Sequence, residues 1–198
     1  MSSISNKEYH VPILFGLTMD LAEEGFDRAA KILSGVPGGA KKAIGSALAR
    51  AGQAGRTAAK RSVTSEYNLS PSVFSAYTRN INHTKSDGNG GMTVVFGYQG
   101  RSIPLIYFAK GGSEPVQVSV MNGSTSTLAH AFYANINGHF GIFERVSKPR
   151  FPVRELYGPS APQMMYANES VTDAVEEVVV STFETRLDHE ISRLLNGY

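Results

Sequence analysis

Residues 148–163 read KPRFPVRELYGPSAPQ, and they mark the point where a sheet gives way to a helix. Four prolines stiffen the stretch. Pro152 and Pro159 restrict the residues before them, and Tyr157-Gly158-Pro159 reads as a sharp turn. Ser160-Ala161-Pro162-Gln163 then fits a capping box with proline in the first turn, so a helix begins here. Arg154 offers a bidentate fork and Tyr157 a rigid amphipathic ring, side-chain types that anchor interfaces. The same residues equally suit a strand-to-helix connection whose tyrosine merely packs. Both readings stand on the residues alone.

Upstream the pattern is that of a sheet. Residues 92–98, 103–108 and 116–121 are rich in β-branched and aromatic side chains and read as strands. Residues 131–136 and 140–146 flank Asn137-Gly138, a strong hairpin signal. Residues 85–91 (KSDGNGG) and 122–127 (NGSTST) are loops by composition. Together with Gly111-Gly112, the second loop suggests a mobile arm over residues 109–130.

Helices lie on either side. Residues 20–33 carry acids first and bases last, as the helix dipole prefers, with Gly35 as the stop and Pro37-Gly38-Gly39 as the break. Residues 41–63 place Ile44, Ala47, Leu48, Ala51, Gly55 and Ala58 on one face at about 100° per residue. Lys42, Arg50, Arg56, Lys60 and Arg61 fall opposite. Ser70-Pro71 opens a short third helix through Tyr77. After residue 160 a long C-terminal helix carries the stripe Val171, Ala174, Val175, Val178, Phe183, Leu187, Ile191 and Leu194. The expected architecture is therefore α+β: N-terminal helices, a central and mostly antiparallel sheet with a protruding arm, and a long C-terminal helix packed on the sheet.

The chain has 198 residues, a length that suits one domain. Residues 1–39 are read as an N-terminal extension and first helix of that single domain. There is no cysteine, which excludes disulfide frameworks and thiolate chemistry. The net charge is only +2, from 19 Lys+Arg against 17 Asp+Glu. It is unevenly spread. Eight bases and no acid fall between Arg28 and Ser65, and seven acids with one base fall between Glu169 and Glu190. Such asymmetry points to a charged partner, to mutual pairing, or to two solvated helix faces. The basic segment lacks interleaved aromatics, so at most it offers sequence-blind contact with DNA. The apolar run at residues 11–17 is too short for a membrane span and lacks a signal-peptide layout. The expected location is thus the cytoplasm of the producing cell.

No catalytic constellation emerges. Residues 35–42 (GVPGGAKK) miss the second glycine and the Ser/Thr of a phosphate-binding loop, and they follow a helix instead of a strand. His10, His83, His130, His139 and His189 are scattered, without metal-ligand spacing. Ser160 is better explained by capping than as a nucleophile. Glu144 and Glu155 carry no mark of paired acid–base carboxylates. No cofactor is expected, and the chain is read as a non-enzyme.

The phrase FPVRELYGPSAPQ, residues 151–163, resembles the signature of the prophage minor tail protein Z family of long-tailed bacteriophages. The basic, alanine-rich helix, the IPLIYF segment at 103–108, the GIFER segment at 141–145 and the LDHEISRLL ending at 187–195 fit the same pattern. The resemblance spans roughly residues 40–195. It implies a structural virion protein acting at the head-proximal end of the tail, which makes the tail competent for head–tail joining. It further implies a homo-oligomeric ring, expected to be a hexamer, between a tail terminator or tail-tube protein and the head–tail connector. Arg154, Glu155, Leu156, Tyr157, Gly158 and Pro159 are expected at or near the subunit interface. Lys42, Arg50, Arg56, Lys60 and Arg61 would either line a DNA channel or pair with acids of a neighbour. Residues 1–39 lie outside the resemblance, and residues 110–130 carry few of the bases that relatives place there.

Overall fold

The structure, a computed structural model, describes residues 13–19, 22–86 and 92–197. Along the chain these form β1 (Ile13–Met19), α1 (Ala22–Ile32), α2 (Gly39–Glu66), α3 (Pro71–Tyr77), β2 (Thr78–Ser86) and β3 (Met92–Gly100). There follow β4 (Ile103–Pro104), β5 (Val116–Val118), β6 (Ser126–Leu128), β7 (Ala131–Ile136) and β8 (His139–Arg145). The chain ends with β9 (Val153–Glu155), β10 (Tyr157–Gly158), α4 (Ala161–Tyr166) and α5 (Glu169–Leu195). All strand pairs are antiparallel, in the orders β1-β3-β2, β7-β8-β9, β5-β6 and β10-β4. The expected α+β class is what is found, with the long C-terminal helix packed into the assembly of helices and sheets.

The helical layer rests on two rows of side chains repeating every fourth residue. On α2 the buried row is Ala43, Ala47, Ala51, Gly55, Ala59 and Val63. On α5 it is Val171, Val175, Val179, Phe183, Leu187 and Ile191. Rows of this spacing are the ridges that helices interdigitate. The small residues of α2 let the larger ones of α5 come close. The two run antiparallel, because Ser46 near the start of α2 donates to Glu190 near the end of α5 at 3.0 Å. At the other end, the Tyr67 hydroxyl donates to the Met164 carbonyl at 3.1 Å. Each large side chain buried here contributes about 1.5–3 kcal/mol. The core continues into the sheet through Tyr98 and Ile103.

Several boundaries differ from the sequence reading, each for a local reason. The left-handed glycine before α2 is Gly38, at φ 69°, and not Gly35. The segment expected as one strand at 103–108 is extended only at Ile103–Pro104. Leu105–Phe108 forms a 3-10 turn, whose threefold repeat directs Leu105 and Phe108 inward and leaves Tyr107 exposed. The strand expected at 116–121 ends at Val118. Beyond it the chain docks on the end of α2, where the Asn68 N–H donates to the Val120 carbonyl at 2.9 Å. The helix expected to run on from residue 161 is broken at Ala167-Asn168, because the Asn168 side chain caps α5 by accepting from the Ser170 N–H at 3.2 Å. Val179, not Val178, occupies the buried row of α5. β2 carries no apolar run and escaped the sequence reading; its register against β3 defines it.

Other expectations hold. Asn137 and Gly138 have φ of 53° and 84°, as a tight hairpin between β7 and β8 requires. The capping box at Ser160 and Gln163 is formed. The segment at 109–130, expected as a mobile arm, differs: β5 and β6 pair as a hairpin, and Val116 and Val118 are buried with Ala131 and Ile142. Residues 85 and 86 of the expected glycine-rich loop close β2; residues 87–91, like residues 1–12, lie outside the described residues.

Candidate functional site

The strand pairing of β9 decides where residues 154–159 point. Arg154 lies opposite Glu144 on β8 and forms an ion pair with it, while remaining largely exposed. Glu155 turns to the other face. Its carboxylate accepts from His139 Nε2 at 2.8 Å and from the Tyr157 hydroxyl at 2.7 Å. Only 12% of that side chain is exposed. Leu156 is held by its backbone: its N–H donates to the Ile142 carbonyl and its carbonyl accepts from the Leu105 N–H, both at 2.9 Å. Gly158 passes so close to Phe108 that a Cβ would stand 2.9 Å from the ring. Pro159 leads into Ser160, which is fully buried, with its N–H donating to Gln163 Oε1 at 2.8 Å.

Part of this stretch borders an open groove of about 590 Å³, whereas Arg154, Glu155 and Leu156 do not line it. Tyr157, Gly158 and Pro159 form one wall. Val118, Met121 and Ser126, from the β5–β6 region, form the second; Gln163, Met164 and Ala167, at the end of α4, form the third. Tyr157 and Met121 are about half exposed. Flexible thioethers and a fixed aromatic ring in one concave surface suit an apolar protein segment more than a reacting small molecule.

Next to Glu155 sits a cluster that sequence reasoning missed. The Arg101 guanidinium lies 4.6 Å from the centre of the Tyr77 ring, and the Tyr77 and Tyr107 rings meet edge-on at 5.6 Å. Burial pushes the Tyr77 hydroxyl up to about 12; the bond to Tyr107 and the Glu155 charge act in the same direction, and Arg101 opposes them. These three residues come from different segments and carry no spacing motif, so no sequence signal could have joined them.

The basic residues of α2 are not gathered into this site. Lys42, Arg50 and Arg61 are exposed and form no ion pair among the described residues. Arg56 is half-buried, and Lys60 donates to the Ser75 hydroxyl at 2.8 Å. The acids of α5 also face outward, apart from Asp188, paired with Arg28, and Glu190, held by Arg193 and Ser46. Apolar faces, and not opposite charges, bring α2 and α5 together. Among the described residues, no group of three His, Cys, Asp or Glu converges as a metal site would need, and no helix is long and apolar enough to cross a membrane.

The fold is thus an α+β one that carries an open, partly apolar groove. Comparison with protein-family profiles, curated proteins and solved structures found no match to this chain.

Proposed function

We propose that the chain is a structural component of a long-tailed bacteriophage tail, of the minor tail protein Z kind, located in the virion at the tail–neck junction. It would assemble as a hexameric ring between the tail-tube end and the head connector, and make the tail competent for head–tail joining. One observation carries the reading beyond the resemblance at residues 151–163. Part of that phrase forms a wall of the groove and leaves Tyr157 half exposed, its hydroxyl tied to Glu155. A neighbour's segment seated there would bury an already ordered ring, which lowers the entropy lost on docking. The reading assigns no catalytic step. The test is Arg154→Glu, with oligomeric state followed by light scattering and head–tail joining by electron microscopy. Loss of joining is expected; normal joining with an unchanged oligomer would overturn the interface assignment.

The exposed row Lys42, Arg50 and Arg61 favours a second reading, in which α2 lines a channel and touches duplex DNA through charge alone. Salt-steep retardation of duplex DNA, lost on neutralising those three residues, is its signature.

A further inference from the structure

The loop joining β8 to β9, residues 146–152, contributes no residue to the lining of the groove. It is closed at its base, where the Val146 N–H donates to the Pro152 carbonyl at 3.1 Å. Pro149 and Pro152 limit its backbone freedom. Lys148 and Arg150 stand on it and Arg145 at its base, all three exposed, and no acid occurs between Arg145 and Arg154. On Arg145's face of the sheet the nearest carboxylate by register is Glu155, which already accepts from His139 and Tyr157; Glu144, on the other face, is taken by Arg154. Two guanidinium groups lie over aromatic rings: Arg145 at 5.7 Å from the centre of Phe132, and Arg150 at 5.7 Å from that of Phe151. Phe151 is itself 54% exposed, at the rim of the loop.

An exposed ring among cations that form no ion pair among the described residues has a specific use. Cations hold successive phosphates, and the ring offers a face on which an unpaired base can stack. A base inside a duplex is already stacked and cannot use that face, so the arrangement favours a single strand. An acidic protein surface would use the cations and leave the stacking geometry without a role. We propose that the β8–β9 loop is a binding site for single-stranded nucleic acid, in which Arg145, Lys148 and Arg150 hold the phosphodiester backbone and Phe151 stacks on one base. The site stands on the loop alone and holds whether or not the chain belongs to a phage tail.

The test is fluorescence anisotropy of the full chain with a labelled thymidine 30-mer across a salt series. Three phosphate contacts predict a slope of about −2 in log K against log salt. Neutralising Arg145, Lys148 and Arg150 together removes most of that slope. Phe151→Ala weakens binding about tenfold and leaves the slope unchanged, because it removes stacking and no charge. All four positions are exposed, and circular dichroism checks that the variants fold. Lys42→Ala/Arg50→Ala/Arg61→Ala binds the 30-mer like the parent chain. The proposal is overturned if the 30-mer is not bound, if the loop variants bind as tightly as the parent, or if the α2 variant loses binding instead. It is also overturned if polyglutamate competes as well as the 30-mer, which would make the loop a surface for acidic proteins.

Discussion

Gly141 leaves the space that the Glu155 carboxylate fills: a Cβ there would stand 2.9 Å from Glu155 Oε1. That carboxylate in turn accepts from His139 and Tyr157, so one missing side chain on β8 sets the orientation of the exposed tyrosine beside the groove. Gly141→Ala should therefore displace Glu155 and break its bond to the Tyr157 hydroxyl. The expected loss is about 1 kcal/mol, the worth of a hydrogen bond or two near the surface. Urea denaturation measures it. The loss should shrink in a His139→Ala background, since one of the two bonds is already gone.

The close approach of α2 and α5 depends on the small row of α2. Ala51 is 1% exposed and belongs to that row, so Ala51→Leu should overpack the interface and destabilise by about 1–3 kcal/mol. Leu187→Ala, on the facing helix, should open a cavity and lose about 2–5 kcal/mol. Midpoints of chemical denaturation would show both. If Ala51→Leu proved neutral, the two helices would not be in the tight contact described.

Tyr98 links β3 to α2 by donating to the Arg56 carbonyl at 2.6 Å, with its ring edge-on to Phe74. Burial pushes its hydroxyl from the usual 10 up to about 12, against a smaller opposing effect of Arg56. The folded state thus holds the proton more tightly than the unfolded chain does. The corresponding stability is complete below pH 10 and is lost as pH rises through about 12. Tyr98→Phe should flatten that alkaline fall, read as denaturation midpoints between pH 9 and 12. An equally steep fall in the variant would mean that other groups govern the alkaline limb.

Glu190 behaves in the opposite sense. The Arg193 guanidinium beside it holds its carboxyl below the usual 4.5; burial opposes this, and the Ser46 hydroxyl assists. A depressed value in the folded state gives stability that is present above the unfolded value and lost as pH falls through the folded one. Glu190→Gln should remove that acid-side dependence. Because the pair is partly exposed, the change near neutral pH should stay below ~1 kcal/mol.

Much of the fold is legible in single residues because local rules decide them. The Ser160–Gln163 box, the Asn137-Gly138 turn and the capped start of α3 each depend on hydrogen bonds within a few residues, and all three form. The apolar face of α2 is legible at Ala47, Ala51 and Gly55, since its period is that of the helix itself, but Ala59 and Val63, not Ala58, complete the buried row. Where reading failed, the deciding partner was distant. Pro104 and the pull of the core on Phe108 turn an apparent strand into a 3-10 turn. β2, mostly polar, exists because β3 offers it a ladder.

The site divides in the same way. The sequence alone determined the class of fold, the segregation of bases on α2 from acids on α5, and the stiff, turn-forming character of residues 148–163. Tertiary structure alone decided that Arg154 meets Glu144 while Glu155 faces His139, because strand register assigns neighbours to opposite faces. It alone brought Tyr77, Arg101 and Tyr107 beside Glu155, and placed Met121 and Met164 across the groove from Tyr157. The reason is physical: caps, turns and helix periods act over a few residues, whereas register and burial are settled by which distant surfaces exclude water together.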